Sequence, residues 1–144
     1  MNRRRLLQRL GAGGTLFTAG CASVGEKPRP FDFAVVNRRE RSYHVEFTLW
    51  NDADETVVDG AVDIAPRPPA DEEYTRVSLD DIARVTNGDS IEARVRTAGE
   101  TFEETYDVTC NRSGNAENTL VFSIRHPDAP AADGSGMEFR GSEC

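Results

Sequence analysis

The feature that most constrains the fold is a strict two-residue alternation of apolar and other side chains over residues 43–50. The inward set is Tyr43, Val45, Phe47 and Leu49, and the intervening set is His44, Glu46, Thr48 and Trp50. Successive side chains of a β-strand point to opposite faces, so this pattern predicts a strand with one face against a core. No long segment has the 3.6-residue apolar period of an amphipathic helix. The chain is therefore expected to fold from strands.

Other short alternating segments repeat this pattern. They cover residues 31–35, 58–64, 77–79, 91–95, 102–110, 120–124 and 137–139. Gly60 indicates a bulge or a close approach within the third strand, residues 79–82 indicate a helical turn or a corner, and residues 98–100 indicate a hairpin turn. About eight short strands predict an all-β fold, an antiparallel β-sandwich of immunoglobulin-like or related topology.

Residues 1–20 carry the parts of an export signal, with a basic head, a short apolar middle and small residues before Cys21. Arg3 and Arg4, followed by Leu6 and Leu7, resemble a twin-arginine export motif. The apolar run is shorter than the roughly 20 residues that a spanning helix needs. Residues 18–21 resemble a lipobox, which implies cleavage before Cys21 and a lipid on its thiol. Thr18 stands where such motifs usually have leucine, which leaves lipidation open.

This reading divides the chain into an export signal at 1–20, a tether at 21–30 and a β-sandwich domain at 31–144. The tether has two prolines and no apolar periodicity, so it is expected to be semi-extended. A lipid on Cys21 would anchor the exported domain to the outer face of the cell membrane.

The exported part of the chain is strongly acidic. All 25 acidic residues follow Cys21, whereas only 13 of the 17 basic ones do, so its net charge would be −12. That balance argues against nucleic acid as a partner, since phosphates would be repelled. Lys27 is the only lysine, and an acidic, lysine-poor composition resembles proteins of extremely halophilic archaea. Arginine bias from a GC-rich genome is the alternative explanation for the low lysine content.

Two cysteines are left once Cys21 carries the lipid, and in an exported protein they predict a Cys110–Cys144 disulfide. Such a bridge would close about 35 residues and stabilise the fold by roughly 3–4 kcal/mol. The alternative is a pair of free thiols, reactive or bound to metal. Asn111 begins an Asn-Arg-Ser sequon and is a candidate for N-glycosylation.

A metal site is the competing interpretation, because His44, Cys110, His126 and Met137 are the residue types of a blue-copper centre. Their order agrees with that of cupredoxins, which are exported β-sandwiches. Their spacing does not agree, because cupredoxins place the last three ligands on one short loop. We therefore expect no metal or other cofactor, with an exported cupredoxin-like metal or redox protein as the alternative.

Catalytic motifs are lacking. Residues 51–55 have oxygen ligands at alternate positions, but they lack the glycine and distal glutamate of an EF-hand calcium loop. No serine stands in a Gly-x-Ser-x-Gly elbow, and no glycine-rich phosphate loop is present. We therefore expect the chain not to be an enzyme. Trp50 could be an exposed recognition aromatic, although it could equally be covered or plug one end of the sandwich.

The signal, the composition and the β pattern together resemble uncharacterised twin-arginine-exported lipoproteins of haloarchaea. This resemblance implies a lipid-anchored extracellular module that binds or supports another component of the cell envelope, with a cell-surface protein or glycan as partner. The expected contact surface is one end of the sandwich, formed by the loops at 66–71 and 111–118.

Overall fold

The computed structural model describes residues 26–69, 73–109, 111, 117–131 and 134–142. Their regular structure consists of eight strands: β1 (Arg29–Asn37), β2 (Tyr43–Asn51), β3 (Thr56–Ile64), β4 (Thr75–Val85), β5 (Ser90–Thr97), β6 (Glu100–Asp107), β7 (Asn118–Ile124) and β8 (Met137–Gly141). None of the described segments forms a helix with the length and apolar character needed to cross a membrane. The predicted all-β fold of eight strands is confirmed.

The strands form two four-stranded sheets, in the orders β4-β1-β7-β8 and β3-β2-β5-β6. We call them the first sheet and the second sheet. Every pairing is antiparallel except that of β1 with β7, which is parallel. The chain leaves β1 for the second sheet and later returns to both sides of β1, antiparallel at β4 and parallel at β7. The two sheets pack as a β-sandwich.

The alternating side chains of both sheets meet in one core. Phe33 of β1 packs on Phe47 of β2 with ring centroids 5.3 Å apart, and Phe31 packs on Tyr106 at 5.5 Å. Both pairs join the first sheet to the second. Tilted aromatic pairs of this kind contribute about 0.5–1.5 kcal/mol beyond the burial of their area.

Of the two local predictions for Gly60 and for residues 79–82, the first is confirmed and the second is wrong. The close approach predicted at Gly60 is confirmed, because a Cβ there would lie 3.3 Å from Cζ of Phe47. The helical turn considered for residues 79–82 is wrong, since these residues belong to β4. The register between β1 and β4 shifts there, and Asp81 has a left-handed backbone with a φ of 54°. Its amide donates to Oδ1 of Asp32 at 2.6 Å. The adjacent polar residues Asp80 and Asp81, which suggested a turn, therefore belong to an irregularity within a strand.

The sandwich has two distinct ends, defined by the direction of β1. At its start, Arg29 pairs with Val85 and Phe31 with Asn118; we call this the entry end, because the N-terminal segment joins the domain here. The strand begins two residues before the expected boundary at 31. Ahead of it, Glu26 accepts a hydrogen bond from the amide of Asn87 at 2.7 Å. The last part of the predicted tether is therefore bound to the domain.

The opposite, distal end lies where β1 finishes. There the Asn37 side chain donates to the backbone oxygen of Ala65, at 2.9 Å, just ahead of the loop beginning at Pro66. The loop that precedes Asn118 lies instead at the entry end. The expectation that the loops at 66–71 and 111–118 form one contact surface is therefore wrong, because they leave strands at opposite ends of the sandwich.

Candidate functional site

A cavity of about 410 Å³ opens on the outer face of the first sheet, toward the distal end. Its lining is rich in arginine: Arg38, Arg67, Glu73, Ser123, Arg125, His126, Ala129 and Arg140. We call it the arginine pocket. Its wall has four guanidinium groups and a single carboxylate. This basic balance is the reverse of that of the whole chain, which has 25 acidic residues and 17 basic ones.

The turn after β1 is held by the fully buried side chain of Asn37. Its Nδ2 donates to the backbone oxygens of Arg41 at 2.7 Å and Ala65 at 2.9 Å, while its Oδ1 accepts from the amide of Arg39 at 2.9 Å. Asparagine favours such turns because its short amide bonds to nearby backbone. The amide of Arg38 also donates to the backbone oxygen of Ile124 at 2.9 Å. These bonds fix where the Arg38 side chain leaves the backbone.

Arg39 forms the support behind the pocket, and its bonds go to neutral groups. Nε donates to the backbone oxygen of Arg125 at 2.8 Å, Nη1 to the Tyr43 hydroxyl at 3.2 Å and Nη2 to the backbone oxygen of Gly136 at 3.4 Å. The guanidinium therefore joins the β1–β2 turn to the segments on either side of residues 126–135. Its charge adds to the positive potential of the pocket.

Carboxylates neutralise part of this charge. Glu138 bonds to Arg125 and also forms an ion pair with Nε of Arg140 at 2.9 Å. Arg67 donates to Glu40 at 2.6 Å, and this hydrogen bond, with the charge of Arg67, holds the pKa of the Glu40 carboxyl below its usual range. The Glu40 pair is solvent-exposed, so it contributes little stability.

Two arginines keep donors available. Arg38 faces Glu73 across 3.7 Å, which is beyond hydrogen-bond distance, and Glu73 is itself highly exposed. Arg140 forms an ion pair with Glu138 through Nε, and its two terminal nitrogens make no hydrogen bond to any described residue. The planar fork of an arginine matches the paired oxygens of carboxylate, sulfate or phosphate.

Ser123 supplies a hydroxyl in the wall of the pocket. The residue is only 6% exposed, yet its hydroxyl makes no hydrogen bond to another residue in the described part of the chain. No buried side-chain nitrogen or oxygen of the described residues lacks a hydrogen-bond partner, so Oγ of Ser123 is open to the cavity and can donate to a ligand there. A donor hydroxyl beside two arginine forks is an arrangement suited to an oxyanion.

The pocket is not arranged for nucleophilic catalysis. His126 is the only histidine in its wall, and Nδ1 of its ring accepts from the amide of Asp128 at 3.2 Å. No hydrogen bond joins His126 to Ser123, so the serine lacks the oriented base that activation requires.

The structure does not bring the candidate copper ligands together. His44 points outward from β2 with 59% of its side chain exposed, and Nδ1 lies 2.6 Å from Asp63. Met137 is buried in the core, as expected for a packing residue, and His126 lines the arginine pocket. Since His44 and Met137 face solvent and core respectively, a site that uses all four residues is wrong. Within the described ranges, no three His, Cys, Asp or Glu side chains form a group that could hold a metal.

Several predicted sites lie outside the described residues. They are the export motif at Arg3, Arg4, Leu6 and Leu7, the lipidation site at Cys21, and the disulfide between Cys110 and Cys144. These three stay predictions.

Asn111 is buried rather than presented to solvent. It is 5% exposed, its Nδ2 donates to the backbone oxygen of Val85 at 2.9 Å, and its Oδ1 accepts from Asn118. A glycan attached to Nδ2 would have to displace this bonded nitrogen into solvent. We therefore no longer expect a glycan on the folded domain.

Trp50 lies on the outer face of the second sheet, half-buried, with the guanidinium of Arg94 5.3 Å from its ring centroid. Neighbouring polar groups on this face are paired with one another, as in Arg94–Glu103 at 2.6 Å and Thr48–Asp59 at 2.8 Å. Such cross-strand pairs are typical of a solvated sheet surface. Trp50 is half-buried on this face, beside Arg94.

Sequence reasoning missed Ser123, Arg38 and Arg140 as site residues. The available signal was the run of three arginines within residues 38–41, which is unusual in so acidic a chain. The pairing of β7 with β1 and β8 is what places the distant Ser123 and Arg140 beside that run. No protein-family model matches the chain, and comparison with curated proteins finds no match either, so function is argued from these residues alone.

Proposed function

We propose that this chain is a lipid-anchored extracellular β-sandwich that acts as a binding module of the cell envelope, and that it binds an oxyanion group of its partner in the arginine pocket. Anchoring would come from the lipid on Cys21 predicted by the lipobox-like residues 18–21. The partner is a cell-surface component and not nucleic acid. The module acts by binding and not by catalysis.

The observation that carries the proposal is the unpaired hydroxyl of Ser123 next to Arg38 and Arg140. Each of these three groups can donate a hydrogen bond without breaking one that the folded domain already uses. Hydrogen bonds to a charged acceptor are stronger than neutral ones, about 1.5–3 kcal/mol each. The protein would therefore meet an anion with its donors already placed, which limits the cost of ordering them.

Calorimetric titration of the full chain with sodium sulfate, at a fixed molar concentration of KCl, tests the proposal. Arg140→Gln should weaken binding about tenfold, which corresponds to ~1.4 kcal/mol. Arg96→Gln is the matched control, because Arg96 lies on the second sheet, is 67% exposed against 63% for Arg140, and also faces one glutamate. Equal sulfate binding by the two variants would contradict the proposal.

Ser123→Ala and Ser142→Ala form a second matched pair. The Ser142 hydroxyl lies 2.8 Å from the Tyr106 hydroxyl and donates to the backbone oxygen of Glu117, so its removal should lower stability and leave binding intact. Ser123→Ala should do the reverse, because no protein bond is lost. A Ser123→Ala protein with unchanged sulfate affinity would remove the observation on which the proposal rests.

A further inference from the structure

We infer that the occupant of the arginine pocket is an acidic sugar, a ring carrying a carboxylate or a sulfate, within a surface polysaccharide that lies away from the anchoring membrane. The inference rests on the proposed function and specifies the chemistry of the partner and its position. It depends on an aromatic ring at the rim of the pocket and on the direction in which the pocket faces.

The aromatic ring is that of Tyr74. Among the described residues it is the one large hydrophobic side chain that is classed as exposed, at 41%. It adjoins Glu73 of the pocket wall, and the guanidinium carbon of Arg38 lies 4.9 Å from its ring centroid. A tyrosine combines an apolar face with a polar tip and loses little conformational freedom on binding. Its ring can pack against the C–H face of a sugar while Arg38 binds the attached anion.

The donors available in the pocket suit a sugar better than a peptide strand. A peptide that adds to a sheet is held by unpaired backbone groups along an edge. Here the candidate donors are side chains on the outer face of the first sheet, and not backbone groups along the open edge of β8. Ser123 can donate to a ring hydroxyl or to the anionic group, whereas the arginine forks require a charged oxygen. Neutral sugars would leave those forks unused.

The position of the pocket argues against the anchoring membrane as the source of the anion. The described chain enters β1 at Arg29, whereas Arg38 follows the last residue of the nine-residue β1. At about 3.3 Å per residue, the two lie roughly 30 Å apart. The pocket is therefore at the end of the sandwich opposite to the one where the predicted anchor would join the domain.

Binding of trigalacturonate to the full chain in molar KCl, measured by calorimetry, tests the inference. Three other probes accompany it: a sulfated galactan oligosaccharide, a neutral galactan oligosaccharide and an oligoglutamate peptide. One or both acidic sugars should bind at least about tenfold more tightly than sulfate alone, because the ring adds contacts to the anion. The neutral sugar should not bind, and oligoglutamate should bind no better than sulfate.

Tyr74→Ala should reduce acidic-sugar binding about tenfold and sulfate binding much less, because the sugar loses the ring contact while Arg38 loses only its own contact with that ring. Trp50→Ala is its control, because Trp50 also lies beside an arginine but on the second sheet. Sulfate binding without a preference for acidic sugars would overturn the inference and leave the proposed function standing. If the natural chain does not bind sulfate at all, both the inference and the proposed function are overturned.

Two further results would overturn the inference. The first is tighter binding of oligoglutamate than of either acidic sugar, which would indicate an acidic protein partner. The second is Arg140-dependent binding of the full chain to vesicles that contain phosphatidylglycerol, which would indicate headgroup recognition. Vesicle binding that Arg140→Gln leaves unchanged would come from the lipid anchor, and the acidic-sugar titrations then decide.

Discussion

Arg39 donates a hydrogen bond from Nε to the backbone oxygen of Arg125 at 2.8 Å, across 86 positions of sequence. The bond joins the turn that follows β1 to the residue that follows β7, and both segments contribute to the wall of the arginine pocket. Among the described residues Arg39 has no carboxylate partner, yet its hydrogen bonds hold the two walls of the arginine pocket together. The charge of Arg39 is compensated by carbonyl and hydroxyl dipoles.

Arg39→Met should destabilise the domain by about 2 kcal/mol. The variant removes three hydrogen bonds from a charged donor and takes the Arg39 donor from the carbonyl of Arg125, while the carbonyl of Gly136 keeps its bond from the amide of Arg125. Thermal unfolding followed by circular dichroism measures the loss. Arg76→Met is the control, because exposed Arg76 bonds only to the hydroxyl of Ser78. Equal midpoints for the two variants would show that Arg39 does not support the fold.

Gly141→Ala should also lower the unfolding midpoint, because a Cβ at this position would lie 2.8 Å from Cε2 of Tyr106. Tyr106 is buried against Phe31 and its hydroxyl is bonded to Ser142, so the ring cannot move aside freely. Overpacking of this kind costs about 1–3 kcal/mol. Gly60→Ala is the graded comparison, since its Cβ would be 3.3 Å from Phe47. A Gly141→Ala domain at least as stable as Gly60→Ala would contradict the packing described.

The sequence predicts the elements of this fold well where one face is buried and the other solvated. Residues 43–50 of β2 and 91–95 of β5 keep the expected alternation throughout. Residues 79–82 mislead because β4 is an edge strand, and an irregularity with a left-handed Asp81 breaks its alternation. An isolated pattern cannot distinguish a bulged edge strand from a turn, because both put polar residues next to each other.

The candidate site was much less predictable than the fold. Arg38, Ser123 and Arg140 belong to three different segments, and only the register of β7 with β1 and β8 brings them to one face. Local propensity contains no information on that register. The parallel β1–β7 pair is a particular obstacle, since neighbours in the sequence give no hint of it. The contact surface expected from loops 66–71 and 111–118 failed for the same reason.

Asn111 should contribute to stability and carry no glycan. Asn111→Ala removes the acceptor of Asn118 and the donor to Val85, both buried, so we expect a loss of about 2–3 kcal/mol. Ser113→Ala abolishes the sequon and leaves Asn111 in place, and its intact mass should differ from that of the natural chain by the substitution alone. A larger mass difference in protein from the native host would establish a glycan and contradict the buried placement.

The domain should become more stable as salt rises. Between 0.1 M and 1 M salt the Debye length falls from about 10 Å to about 3 Å. Acidic residues outnumber basic ones in this chain, and the shorter Debye length screens the repulsion among their carboxylates. Screening also weakens ion pairs such as Arg94–Glu103, but exposed pairs are worth only about 0–1 kcal/mol each. Excess repulsion should therefore dominate, and the unfolding midpoint should rise with KCl. A midpoint that falls with KCl would show that the ion pairs dominate instead.

The Cys110–Cys144 disulfide stays a prediction, and described residues near the two cysteines in sequence bond to one another. Asn111, next to Cys110, bonds to Asn118, and the Tyr106 hydroxyl contacts both Asn118 and Ser142, the latter two positions before Cys144. In a Cys21→Ser variant prepared without reductant, neither remaining cysteine should react with iodoacetamide. Reduction should then lower stability by roughly 3–4 kcal/mol, because a loop of about 35 residues is released in the unfolded chain. Two thiols that alkylate in the folded, unreduced protein would establish the free-thiol alternative, and reductant would then leave the unfolding midpoint unchanged.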